Sequence, residues 1–214
     1  MNFAFVFPGQ GSQSVGMMAA YGESVTIRQT FAEASDALDQ DLWQMVAVGP
    51  AEVLAQTVNT QPLMLAAGIA VYREWSARGG LVPAIVAGHS LGEYSALVAA
   101  GALDFSDAIK LVRLRAQAMQ EAVPQGEGAM AALLGLDEAQ AVEACAEAAQ
   151  GDVVSAANLN SPGQIVIAGS KAAVERAIVT AKARGAKRAV LLPVSAPFHC
   201  ALMKPAAERL QQAL

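Results

Sequence analysis

Cysteine and histidine are both scarce, with two of each in 214 residues. Cys145 and Cys200 cannot supply a disulfide framework. The expectation is reduced thiols in a cytosolic protein. His89 and His199 stand far apart with no partners at ligand spacing, so neither a metal centre nor a metal cofactor is expected. Charged residues make up only 15% and aromatics 5%, while hydrophobic residues reach 54%, a composition that rules out a disordered chain. No apolar run approaches about 18 residues without a charge or a turn signal, which argues against a membrane span. The chain enters an apolar strand at Phe3–Phe7 with no basic leader, so no secretory signal is expected. The expectation from these absences is a cytoplasmic protein without a cofactor; a monomer is expected as well.

The length accommodates one large domain, or one domain with a small insert. The formal net charge is −5, unevenly spread. Residues 171–209 carry eight bases and two acids, a local +6 against −11 for the rest. This split suits an anionic partner better than nucleic acid, although solvated helix faces would give the same composition. Lys182 and Arg184 are the bases expected to face such a partner.

Along the chain, a strand at Phe3–Phe7 leads into the loop "PGQGSQ" at 8–13. Helical patterns follow at Thr26–Leu38 and Pro62–Arg78, the second stopped by Gly79-Gly80. A short strand, Ile85–Ala87, precedes a helix over Glu93–Ala100 that ends at Gly101. The next helix starts near Asp104 or Ser106, either of which is a plausible N-cap. Between residues 128 and 193 the pattern becomes strand, helix, two strands joined through Asn160-Ser161-Pro162-Gly163, helix and strand. This βαββαβ order is the ferredoxin-like arrangement. The fold class expected is α/β: a parallel-sheet domain of the α/β-hydrolase type over residues 1–126 and 194–214, interrupted by a ferredoxin-like subdomain at 127–193. A helical run, Leu202–Leu214, closes the sequence with no strand after it, which suggests that part of the larger domain is missing.

Gly88-His89-Ser90-Leu91-Gly92 fits the G-x-S-x-G nucleophile elbow, a sharp strand-to-helix turn that exposes a serine hydroxyl. A serine nucleophile needs a base. His89 lies inside the turn and suits a structural role, which leaves His199 as the candidate. Cys200 beside it is a poor thiol partner, because neighbouring residues on an extended segment point to opposite sides. Arg115 stands out by spacing, since Leu111, Val112, Ala118 and Met119 at i±3 and i±4 are all apolar. A guanidinium on a buried face must meet an anion. Arg113 has a more solvated set of neighbours.

Taken in order, "FVFPGQGSQ", "TQP" at 60–62, "GHSLGEYSAL" at 88–97, "RLRAQAMQ" at 113–120 and "PVSAPFHCALM" at 193–203 together resemble the malonyl-CoA:acyl carrier protein transacylases of type II fatty acid synthesis. The resemblance implies a seryl-ester, ping-pong acyl transfer from malonyl-CoA to the phosphopantetheine thiol of acyl carrier protein. It assigns Ser90 as nucleophile and His199 as general base and acid. It gives the backbone amides of Gln10 and Leu91 to the oxyanion hole, Arg115 to the free carboxylate of malonyl, and Gln61 to the pocket wall. Family members run on for a further third of their length and use an asparagine carbonyl against the histidine. Alternative readings are a serine esterase or thioesterase using the same pair, a polyketide-type malonyl acyltransferase, and a non-catalytic carrier-protein binding module.

Overall fold

Alternate residues of a strand share a face, so Phe3, Phe5 and Phe7 form one aromatic side. In the computed structural model, which describes residues 2–214, they belong to the first strand, β1 (Ala4–Phe7), and the residue before it. Helix α4 (Thr57–Ala77) covers this side, with Phe5 edge-on to Tyr72 at 5.5 Å and to Trp75 at 5.7 Å between centroids. β1 pairs in parallel with β2 (Ile85–Gly88), Ala4 opposite Ile85 and Phe7 opposite Gly88. On the other face Val6 and Ile85 are exposed.

The chain divides into two compact units, the first ending at Gln117 and the second spanning Ala118–Leu214. In the first, α1 (Val25–Leu38), α2 (Leu42–Val48), α3 (Ala51–Leu54) and α5 (Gly92–Ala99) pack with α4 and with the first part of α6 (Phe105–Glu121). Ile27, Phe31, Leu42, Leu63, Leu65, Ile69, Leu91 and Ile109 are buried at its centre. Each such side chain contributes about 1.5–3 kcal/mol through lost apolar surface. Ser24 caps α1, its Oγ accepting from the Ile27 amide at 3.2 Å. The same hydroxyl donates to Glu74 on α4 at 2.6 Å, which ties the two helices together.

α4 starts five residues before the expected Pro62. A proline inside a helix removes one backbone donor. Here side chains secure the first turn: Thr60 Oγ1 donates to the Leu54 carbonyl at 2.6 Å, and Asn59 Nδ2 donates to the Val53 carbonyl at 3.0 Å. Asp104 is the cap of α6, accepting from the amides of Ser106 and Asp107 at 2.8 and 3.1 Å.

The second unit holds β3 (Gly128–Leu134), α7 (Glu138–Ala149), β4 (Val154–Ser161), β5 (Gln164–Ser170), α8 (Lys171–Ala183), β6 (Arg188–Leu191) and α9 (Lys204–Gln211). Its strands form one antiparallel sheet in the order β4-β5-β3-β6. Asp137 and Gln140 cap α7 reciprocally. Leu133, Ile165 and Ile167 meet α7 and α8 on one face. Met130, Val166 and Ala168 on the other face are covered by Ala196, Phe198, Cys200, Met203 and Ala206. That second layer anchors the segment that carries His199. The architecture is therefore mixed α/β, with one parallel and one antiparallel sheet.

Candidate active site

The glycines of the G-x-S-x-G turn are required by space. A Cβ on Gly88 would lie 1.9 Å from the Gly92 carbonyl carbon, and one on Gly92 would lie 2.1 Å from the Phe7 carbonyl oxygen. β2 and α5 therefore close onto each other and onto the end of β1. The His89 amide donates to the Phe7 carbonyl at 3.1 Å, pinning the turn. Between them Ser90 takes φ 54°, a left-handed conformation that a non-glycine residue holds only under constraint from its surroundings. The amides of Gly92, Glu93 and Tyr94 are bonded to the carbonyls of His89, Ser90 and Leu91 at 2.9, 3.2 and 3.0 Å. The Leu91 amide thus stands at the head of that ladder, beside Ser90, at the positive end of α5.

The Gln10 loop lies against the same turn. A Cβ on Gly9 would sit 2.7 Å from the His89 carbonyl oxygen and 3.2 Å from its Nδ1. Ser12 Oγ donates to the Gly9 carbonyl at 3.1 Å, and the Gly11 amide, at φ 110°, donates to Gln13 Oε1 at 2.8 Å. Gln10 Nε2 donates to Thr57 Oγ1 at 3.1 Å, fixing the loop to the start of α4.

Arg115 lies on the buried side of α6, flanked by Leu111, Val112, Ala118 and Met119, all buried. Its Nη2 donates to Ser90 Oγ at 3.2 Å and its Nη1 to Gln61 Oε1 at 2.8 Å. Gln61 is itself buried within α4. The guanidinium also lies over the Tyr94 ring, 5.5 Å from the centroid. Burial pushes Arg115 below the usual arginine range, and Tyr94 and Glu93 act against that shift. Tyr94 is pushed up by burial and pulled back by Arg115. Among the described residues no carboxylate forms an ion pair with Arg115. Ser90, Gln61 and Arg115, singled out separately in the sequence, are brought together. Tyr94 was not singled out, although it lies four residues beyond Ser90 on the helix that the turn opens.

Arg113 is half-buried. Its Nη2 donates to Gln40 Oε1, its Nε is buried without a partner, and burial pushes its pKa down. The reason is that Ile109 and Ala116, one turn away on either side, are fully buried and draw the base of its side chain inward.

His199 belongs to the second unit, in a turn at φ 62°. It is exposed while its neighbours Phe198 and Cys200 are buried, so histidine and thiol diverge. Gly128 makes room for this segment, since a Cβ there would meet Pro197 at 2.4 Å. Both cysteines are free and buried, and burial pushes the Cys145 thiol up to about 11. Among the described residues no group of three or more histidines, cysteines or carboxylates could hold a metal ion. No helix among them is long and apolar enough to cross a membrane.

The basic region is partly consumed within its own unit. Arg184 pairs with Glu143 at 2.6 Å and with Glu147 at 3.0 Å, both on α7. Arg176 donates to the Ala148 and Ala149 carbonyls that end α7, and pairs with Asp152 at 2.8 Å. Arg184 stays exposed while it bridges the end of α8 to α7. Among the described residues Lys182, Lys187 and Arg188 form no ion pair.

A serine held at a positive φ at the head of a helix, with a second loop packed against the turn, is the local geometry of a nucleophile elbow. The model of the acyl transferase domain matches residues 4–214, so the chain is an acyl transferase by family. Malonyl CoA-acyl carrier protein transacylase of Escherichia coli K12 is 63% identical over 209 residues, covering 97% of this chain and 68% of that protein. The chain belongs to the malonyl CoA-acyl carrier protein transacylase family, spanning about two thirds of the length of such relatives. A crystal structure of an acyl carrier protein S-malonyltransferase from Vibrio cholerae superposes with a TM-score of 0.97 at 60% identity, over 99% of this chain and 70% of that one. A malonyl-transacylase solved in complex with its type II PKS acyl-carrier protein gives a TM-score of 0.96 at 58% identity, over 98% of this chain and 68% of that one.

Proposed function

We propose that the chain moves malonyl from malonyl-CoA to the thiol of acyl carrier protein through an ester on Ser90. The observation that carries this reading is the Arg115 guanidinium. It has no carboxylate partner among the described residues and lies 3.2 Å from the serine oxygen. A desolvated cation at that distance suits an anion attached to the acyl group, and an esterase for neutral esters has no use for one.

In the proposed cycle, Ser90 gives up its hydroxyl proton to a base, the role assigned to His199, and its oxygen attacks the thioester carbonyl. The new C–O bond forms as the carbonyl π pair moves onto oxygen. The amides of Leu91 and Gln10 receive that negative charge. Collapse breaks the C–S bond, and the departing thiolate takes the proton held by His199. The phosphopantetheine thiol of the carrier then repeats the steps in reverse order and leaves Ser90 as it began. Arg115 pairs with the malonyl carboxylate throughout, as a planar fork matched to two oxygens, with Gln61 fixing one of its arms.

The same reading gives the architecture its finer description: a hydrolase-like domain of residues 1–126 and 194–214 interrupted by a ferredoxin-like subdomain at 127–193. It is supported by the βαββαβ order and the β4-β5-β3-β6 arrangement of the antiparallel sheet. A cytoplasmic monomer acting without metal or cofactor is the form in which we propose it works, with acyl carrier protein as partner. Steady-state rates with both substrates varied are the test. Parallel double-reciprocal lines for malonyl-CoA and carrier are expected, and intersecting lines would rule out the seryl intermediate.

A further inference from the structure

Arg115 raises a question of charge that the transfer reaction leaves open. A guanidinium removed from water costs free energy unless something replaces its hydration. The usual replacement is a carboxylate, and a permanent carboxylate here would occupy the fork and exclude the substrate's own. Its partners are instead neutral: Gln61 Oε1 at 2.8 Å, Ser90 Oγ at 3.2 Å, and Tyr94, whose ring lies 5.5 Å away and whose hydroxyl also accepts a hydrogen bond from the guanidinium. Glu93, the adjacent acid, is exposed and makes no ion pair with Arg115.

Tyr94 is placed for this task by the elbow itself. It is the third residue of α5, its amide bonded to the Leu91 carbonyl at 3.0 Å, so its position is set by the turn that presents Ser90. Its ring is partly buried against the core of the first unit. An aromatic face attracts a cation through its quadrupole without carrying net charge, and the attraction grows as water is excluded. Serine and arginine thus lean on the same short helix, one at its head and one against its first turn.

We propose that Tyr94 is a positioning and specificity residue, a neutral stand-in for a counter-ion that holds Arg115 over Ser90 while leaving its fork open to the substrate carboxylate. This rests on the malonyl-transfer reading above. Since Tyr94 acts through Arg115 on a part of the substrate that does not react, its loss weakens ground state and transition state alike. KM for malonyl-CoA should then rise with kcat nearly constant. Acetyl-CoA carries no carboxylate and should be indifferent.

The experiment measures kcat and KM for malonyl-CoA and acetyl-CoA on wild type, Tyr94→Phe, Tyr94→Leu and Tyr94→Met, with thermal unfolding of each. Tyr94→Phe keeps the ring but loses the hydroxyl contact with Arg115, and should retain most of the malonyl preference. Tyr94→Leu and Tyr94→Met remove the π face and should raise KM for malonyl-CoA roughly tenfold, the ratio that a desolvated cation–π contact supports. Acetyl transfer should stay unchanged. Tyr94→Met retains an unbranched apolar chain if Tyr94→Leu fails to fold. Equal losses for both substrates, or an unchanged preference in folded Leu and Met variants, would overturn the role of Tyr94 alone. A wild-type protein with no preference for malonyl would overturn the functional reading beneath it.

Discussion

Replacing Arg115 with alanine isolates the contact on which substrate choice depends. The guanidinium is desolvated, donates to Ser90 at 3.2 Å and to Gln61 at 2.8 Å, and has no competing carboxylate among the described residues. A malonyl carboxylate bound there would be left unpaired by the substitution, and losing one partner of a desolvated charge pair costs about 2–5 kcal/mol. Because Arg115 is partly exposed, the middle of that range applies: about 3 kcal/mol, at about 1.4 kcal/mol per tenfold, is roughly a hundredfold in kcat/KM for malonyl-CoA. Acetyl-CoA strands no charge, so its rate should hold or rise. Arg115→Lys should recover only part of the malonyl rate, because an ammonium is a point charge without the planar fork. The assay is single-substrate kinetics with each thioester, accompanied by an unfolding curve. Parallel losses for malonyl and acetyl would show that Arg115 supports the fold, and the selectivity argument would fail.

Gly92→Ala places a methyl 2.1 Å from the Phe7 carbonyl oxygen, where only backbone could yield, so the unfolding free energy from urea denaturation should fall by at least the about 1–3 kcal/mol typical of overpacking; an unchanged urea midpoint would contradict the packed elbow. Glu74 is held below the usual carboxylate range by hydrogen bonds from Ser24 and then Arg78. A depressed pKa stabilises the fold above the ordinary value and loses that contribution as pH falls through the folded one. Glu74→Gln should therefore destabilise at neutral pH and flatten the acid limb of a stability-versus-pH curve, and an unaltered limb would refute the assignment. Reversing Lys182 and Lys187 to glutamate should raise the KM for carrier protein in a salt-dependent way and leave that for malonyl-CoA unchanged, because exposed charges chiefly govern encounter. Equal changes in both would argue against docking at this surface.

The elbow was legible because its requirement is local: two glycines at fixed spacing, between an apolar strand and a helix of small residues, leave few other conformations. The antiparallel sheet was legible for a similar reason, since the strand–helix order and the Asn160–Gly163 turn signal agree with one another. Arg115 could be placed on a buried face by helical period alone, but its contacts with Ser90 and Gln61 depend on how α4, α5 and α6 pack, which no periodicity encodes. α2 and α3 were missed because elements of seven and four residues are too short to show a period. Arg113 is less desolvated than Arg115, as its neighbours implied, but the buried base of its side chain follows Ile109 and Ala116. Arg184 is the surface cation expected, but its partners Glu143 and Glu147 were not legible because they lie on another helix. Tyr94 carried only one signal, its position four residues after Ser90, and it was overlooked as an ordinary apolar helix residue.

The central claim is that Ser90 carries the malonyl group between donor and carrier. Incubating the protein with radiolabelled malonyl-CoA in the absence of carrier, then denaturing and digesting it, tests this directly. Label should be recovered on the peptide containing Ser90, be absent from Ser90→Ala, and discharge onto acyl carrier protein when that is added before denaturation. Label retained in Ser90→Ala, or found on a peptide without Ser90, would contradict the account.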